Sequence, residues 1–141
     1  MNEPECFLDT NIFVRFATND HAEHSPLARD LIASIESGQT VAETAATVIF
    51  EAIYVLNRSY RIDRARVFDT MMELISLPGL RIANKPTVQR ALNLWRQTGR
   101  ISYADAYHLM LTSETSHKRI ASFDGGMSNA LPDVTRIEQL P

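Results

Sequence analysis

Asp9 follows the apolar run Cys6-Phe7-Leu8 directly, and Asp124 follows Ile120-Ala121-Ser122-Phe123 in the same way. Glu51 lies inside the apolar segment 48–56, and Asp105 stands in Ser102-Tyr103-Ala104-Asp105-Ala106, where a helical pattern begins. Gathered carboxylates repel one another unless a cation holds them. Hard oxygen ligands with few histidines suit Mg2+ or Mn2+ rather than zinc. Two such ions, about 3.5 to 4 Å apart, activate water and stabilise the leaving oxygen in phosphodiester cleavage. The chemistry these residue types would serve is therefore metal-assisted hydrolysis.

Each of the four also has a plainer reading. Asp9 precedes Thr10-Asn11-Ile12 and would cap a first helix by accepting backbone N–H bonds, so both cap and catalyst stand for this residue alone. Glu51 has Val48 and Val55 at helical spacing, which predicts a partly buried carboxylate that must be protonated, paired or cation-bound. No basic residue lies within one turn of it, which favours a functional role over a local ion pair. Ser102 and Asp105 have the spacing of a capping box with Asp in place of Glu, and Asp124-Gly125-Gly126 spells a turn. As a set they say more, because two sit at strand ends and two on helices that would meet at one sheet edge.

The other chemistry-bearing residues read as structure. His21 and His24 form a His-x-x-His with no third ligand nearby and belong to an exposed approach to a helix. His108 and His117 read as helix surface or packing, Cys6 as core, and the rings of Tyr54, Tyr60, Tyr103 and Tyr107 as packing.

The elements that would position the carboxylates alternate between short apolar runs and helical periodicity. Strands are predicted at 6–8, 40–42, 80–83, 120–123 and 134–137. Helices are predicted at 11–17, after the cap and proline of Ser25-Pro26, from Ala46 through Leu56, over 65–75, from Pro86 to Gly99, and from Tyr103 to about Thr115. Strands separated by helices imply right-handed crossovers and a mostly parallel sheet with helices on both faces. In such sheets ligands bind beyond the carboxyl ends of the strands, where Asp9 and Asp124 fall.

Composition bounds the rest. The 141 residues fit one domain, 1–141, with 45% hydrophobic and 22% charged residues, an ordinary globular balance. A single cysteine can neither staple the fold nor build a cysteine-based zinc site. The acidic start Met1-Asn2-Glu3-Pro4-Glu5 is unlike a secretory signal, and no apolar stretch is long enough for a bilayer, so a cytoplasmic location without membrane insertion is expected. A net charge of −3 argues against indiscriminate nucleic-acid binding. If cations neutralise four of the 17 acidic residues, however, the remaining 13 stand against 14 Lys and Arg.

With these residues in this order, the chain resembles the PIN-domain ribonucleases, and more narrowly the VapC toxins of prokaryotic toxin-antitoxin pairs. The landmarks are Leu8-Asp9-Thr10-Asn11, Glu51 in the central apolar helix, Tyr103-Ala104-Asp105-Ala106 and Ser122-Phe123-Asp124. The resemblance implies a three-layer α/β/α domain with a central, mostly parallel five-stranded sheet and the first strand in its middle. It implies one or two Mg2+ or Mn2+ ions held by Asp9, Glu51, Asp105 and Asp124, with Thr10 and Asn11 orienting the first aspartate or the site water. Ser102 and Tyr103 stand where some members carry a further acid, so Asp124 would act directly or through water. The implied activity is endoribonucleolytic hydrolysis that leaves a 5′-phosphate on the downstream product. A homodimer and a cognate VapB-like antitoxin are the implied protein partners. Arg15, Arg58, Arg61, Arg96 and Arg100 are candidates to meet phosphates, with solvated surface as the plainer reading.

Two rivals remain. A phosphatase of the haloacid dehalogenase type also places an Asp after its first strand, but needs a second Asp two positions later, where this chain has Asn11. An inactive PIN-like domain that only binds RNA or protein would have no need of all four acids.

Overall fold

Cys6–Phe7 (β1) pairs in parallel with Ala42–Thr44 (β2), which pairs in parallel with Leu80–Ile82 (β3). In register, Cys6 faces Ala42 and Ala42 faces Leu80, while Phe7, Glu43 and Arg81 form the neighbouring row. The computed structural model describes residues 3–137, and the chain divides into two units, Met1–Lys85 and Pro86–Pro141.

In the first unit Thr10–Thr18 (α1) packs on His24–Glu36 (α2) and on Ala46–Tyr54 (α3). The chain then passes through the π-helical turn Val55–Ser59 into Arg64–Ile75 (α4). Phe13, Ile35, Ile49, Ile53, Leu56, Met71 and Ile75 are among the side chains almost wholly removed from water. Each large aliphatic or aromatic side chain so buried contributes roughly 1.5 to 3 kcal/mol. Helix ends follow local chemistry: α1 stops at Asn19, whose left-handed backbone (φ 52°) returns its N–H to the Arg15 carbonyl, and the Asp63 side chain caps α4.

Pro78-Gly79 ends the α4 region, and Gly79 is also required by a close approach. A Cβ there would lie 2.9 Å from the Ile35 carbonyl oxygen and 3.1 Å from the Ile35 side chain. The Gly79 carbonyl meanwhile accepts the Ala42 N–H at 2.9 Å. Gly79→Ala is expected to destabilise the protein by about 1 to 3 kcal/mol, because backbone has to move at the point where β2 and β3 pair. A denaturant midpoint equal to that of the parent would refute this.

Lys85–Thr98 (α5) begins on the last residue of the first unit, and from Pro86 on the second unit carries the rest of α5, Tyr103–Ser113 (α6), Arg119–Ala121 (β4), Gly126–Ala130 (α7) and Thr135–Ile137 (β5). Strands β4 and β5 pair in parallel, α6 packs on β4, and α7 packs on β5. Val88, Ala91, Leu92, Trp95, Ala106 and Leu109 are buried. The Thr87 hydroxyl (2.6 Å) and the Arg90 guanidinium both donate to Glu114 just past α6. Gly99 follows α5 at φ 70°, the backbone that ends a helix most easily without a Cβ.

The α/β class, the five strands and the parallel pairing are as the sequence predicts. Three details differ. Among the described residues the strands are hydrogen-bonded as three and two, and β1 ends the three-strand order instead of lying within it. Periodicity reveals that a strand exists but not which strand it pairs with. The second strand begins at Ala42 rather than Thr40, because the Thr40 N–H is taken by the Ser34 carbonyl and the Val41 N–H by the Glu5 carboxylate. Ser25 lies inside α2 instead of capping it, and its buried hydroxyl donates to the Arg15 carbonyl of α1. Among the described residues no helix is long and apolar enough to cross a membrane.

Candidate active site

Asp9 is fixed by its neighbour. The Leu8 N–H donates to the Glu43 carbonyl at 2.8 Å, and the buried Thr44 hydroxyl donates to the Leu8 carbonyl at 2.8 Å. Both bonds tie the end of β1 to β2 and set the direction in which Asp9 leaves the sheet. Thr44 was not singled out by sequence; a hydroxyl next to Ala45-Ala46 at a strand end was its only signal.

Asp9 occupies the N-cap position of α1 with an extended backbone (φ −84°, ψ 169°), yet its side chain makes no capping bond. Only its carbonyl engages the helix, accepting the Ile12 N–H at 3.1 Å. The exposed carboxylate has no partner among the described residues. The plainer reading of Asp9 as a cap is therefore not what the structure contains.

Thr10, only 7% exposed, opens α1 and donates its hydroxyl to Glu51 Oε2 at 3.2 Å. This bond joins the start of α1 to the middle of α3 and places the Glu51 carboxylate beside the residue that follows Asp9. Asn11 is exposed. Glu51 is exposed too, contrary to the burial expected from its apolar neighbours. Helix α3 buries Val48, Ile49, Ala52 and Ile53, whereas Thr47, Glu51 and Tyr54 fall on the opposite stripe. Burial in an apolar setting thus says nothing for Glu51; its bond to Thr10 does. Thr10→Val, which keeps the shape and removes the donor, is expected to lower activity about tenfold with unchanged circular dichroism, and Thr10→Ser to restore it. Full activity in the valine variant would remove Thr10 from the positioning role.

In the second unit Asp105 is half-buried in the first turn of α6. The Ser102 hydroxyl accepts the Asp105 N–H at 3.1 Å, but the reciprocal bond of a capping box is not made. Ser102 alone caps the helix, which leaves the Asp105 carboxylate without a partner among the described residues and favoured by the helix dipole. Below it, the Tyr103 phenol donates to the Val88 carbonyl at 2.9 Å, and burial, with Tyr107 nearby, pushes its pKa well up. Asp124 is exposed and does form the turn that its glycines predict. Its Oδ1 accepts the Gly126 N–H at 2.9 Å, and its own N–H donates to the Ser122 hydroxyl at 3.0 Å. The five-residue helix α7 that starts there was hidden in sequence behind Gly125-Gly126.

Asp9 and Glu51 lie in the first unit and Asp105 and Asp124 in the second, and among the described residues no three His, Cys, Asp or Glu side chains are gathered as a ready-made metal site. The donor chemistry still fits a hard divalent ion, since Mg2+ keeps several waters and takes only one or two carboxylates from protein. Asp9 and Asp105 have both oxygens to offer, while Glu51 and Asp124 each have one oxygen already accepting a hydrogen bond.

His21 precedes α2 and His24 opens it, and the two are engaged with backbone and with each other. His21 Nδ1 accepts the backbone N–H groups of Glu23 (3.3 Å) and His24 (2.9 Å), and the two rings stack at 3.9 Å. Desolvation, followed by the neighbouring His24 and Arg15, pushes the His21 pKa down.

The profile of the PIN domain family matches residues 6–130, which takes in all four carboxylates. No curated protein matches the chain.

Proposed function

The chain belongs to the PIN-domain family, whose members are generally nucleases, and from that premise we propose that it is a Mg2+- or Mn2+-dependent endoribonuclease. The observation that carries the reading is the unused Asp9 carboxylate at the end of β1, with Thr10 beside it holding Glu51. Asp9, Glu51, Asp105 and Asp124 would hold one or two divalent ions, with Asp9 and Asp105 as the principal ligands. When bound, such ions would lower the pKa of the attacking water and neutralise charge on the phosphoryl oxygens. The chain's own part is orientation. The two ties on Leu8 fix Asp9, Thr10 fixes one Glu51 oxygen, Ser102 fixes the first turn that carries Asp105, and Gly126 fixes Asp124. Hydrolysis joins a water oxygen to phosphorus and breaks the bond to the 3′ oxygen, which leaves with a proton. The downstream fragment keeps the 5′-phosphate.

Within the same proposal the two units act as one domain, since the family match spans both. The protein is the toxin of a VapBC-type pair, a cytoplasmic homodimer silenced by a VapB-like antitoxin; this rests on the Leu8-Asp9-Thr10-Asn11 and Tyr103-Ala104-Asp105-Ala106 landmarks. The test is RNA cleavage by purified protein with Mn2+, with chelator, and with Asp9→Asn in parallel. Mapped 5′-phosphate ends that depend on Mn2+ and on Asp9 support the proposal. A neighbouring reading frame for a small DNA-binding protein that silences the activity supports the toxin assignment.

A further inference from the structure

Four arginines crowd the turn between α3 and α4. Within residues 57–66, Arg58, Arg61, Arg64 and Arg66 stand against the single carboxylate of Asp63, in a chain whose formal net charge is −3. Asp63 is itself engaged, accepting the Arg66 backbone N–H at 2.9 Å. Among the described residues Arg58, Arg61 and Arg66 have no carboxylate partner. Burial, and then the nearby charge of Arg58, push Arg64 below the ordinary guanidinium range, so two like charges are held close together.

The turn is a built one. After the π-helical residues the Tyr60 N–H returns to the Val55 carbonyl at 3.0 Å, the Ile62 N–H to the Leu56 carbonyl at 3.1 Å, and the Asn57 side-chain amide to the Ile62 carbonyl at 2.9 Å. Leu56 is buried beneath it. Arg61 holds a left-handed backbone at φ 57°, a conformation that costs a non-glycine residue on the order of 1 kcal/mol or more. A strained residue and a π-turn in one place are features that cluster at functional sites. Here they present Arg58 and Arg61 to solvent on a fixed frame.

The approach to this turn is equally specific. The exposed stripe of α3 runs Thr47, Glu51, Tyr54 and on to Arg58. Tyr54 is 64% exposed although its ring is large and apolar. At the α-helical rise of about 1.5 Å per residue, Tyr54 lies about 4.5 Å along α3 from Glu51, and Arg58 follows in the π-helical turn. A carboxylate of the candidate site, an open aromatic face and a frame of arginines therefore follow one another from α3 through the π-helical turn toward α4. Single-stranded nucleic acids are held by this combination of cationic track and aromatic platform.

We propose that the Glu51-Tyr54-Arg58 stripe and the arginine turn beyond it are the RNA track of the enzyme. Tyr54 stacks on a base beside the scissile phosphate, and Arg58 and Arg61 pair with phosphates farther along the same strand. The inference rests on the ribonuclease reading and names how that substrate is held. An acidic peptide would satisfy the arginines through its carboxylates alone, whereas every nucleotide of a single strand brings both a face for the Tyr54 ring and a charge for the arginines.

The test separates binding from turnover. A labelled short single-stranded oligoribonucleotide is titrated against the 141-residue Asp9→Asn protein in chelator at several salt concentrations, and cleavage is measured separately in the parent. Arg58→Gln/Arg61→Gln is expected to flatten the slope of log K against log salt by about 1.4, the share of two single-strand phosphates. Tyr54→Ala is expected to weaken binding about tenfold and Tyr54→Phe to preserve it. Arg29→Gln/Lys118→Gln removes the same charge elsewhere and should leave the slope in place. Unchanged affinity and slope in the arginine variant overturn the track, including the case in which that variant loses a protein partner instead. Because binding is read without turnover, failure of the parent to cleave RNA counts against the ribonuclease reading alone.

Discussion

Asp9→Asn is expected to slow RNA cleavage about 100- to 1,000-fold while leaving the unfolding midpoint where it was. The size of the kinetic effect is that of removing one group on which transition-state charge stabilisation depends. The absence of a stability effect follows from geometry. The Asp9 side chain makes no capping bond and is exposed, so neutralising it breaks no native contact. Asp9→Ala sharpens the point: a true N-cap loses about 1 kcal/mol on this change, and here the loss should stay within about 0.5 kcal/mol. The combination of a large kinetic loss and an unmoved midpoint distinguishes a ligand from a cap. Equal Mn2+-dependent cleavage by the parent and Asp9→Asn would sink the assignment of the site, and a midpoint that falls in Asp9→Ala would return the residue to its structural reading.

What the sequence made legible was what depends on local chemistry. Strand ends before Asp9 and near Asp124, the helical period around Glu51 and the serine before Asp105 all declare themselves within a few residues, and the structure places each near where it was expected. What it hid depends on the third dimension. Glu51 looked buried because its neighbours are apolar, but a nine-residue helix can bury one stripe and expose the other, and Thr47, Glu51 and Tyr54 are on the open side. Asp105 reads as half of a reciprocal cap, but Ser102 alone does the capping and leaves the carboxylate unused. The partner of Glu51 was also out of reach, since Thr10 is 41 residues away in sequence. Strand pairing was hidden for the same reason: β1, β2 and β3 are each two or three residues long, too short for alternation to say which pairs with which.

Leu92→Ala is expected to cost about 2 to 5 kcal/mol, since Leu92 is fully buried in α5 and truncation there leaves a cavity. That is a large share of the roughly 5 to 15 kcal/mol by which a domain of this size is stable. Its greater use is to ask whether residues 1–85 and 86–141 fold as one domain. Trp95, the only tryptophan, lies one turn on in the same helix and reports on the second unit, whereas far-ultraviolet circular dichroism reports on the helices of both. A single domain unfolds with coincident transitions by the two probes. The substitution should then move both curves by the same amount, although it lies in only one unit. Asp9 and Glu51 belong to one unit and Asp105 and Asp124 to the other, so coincident transitions would support the proposal that the two act as one domain. If the fluorescence transition shifts while the dichroism separates into two steps, the single-domain proposal fails.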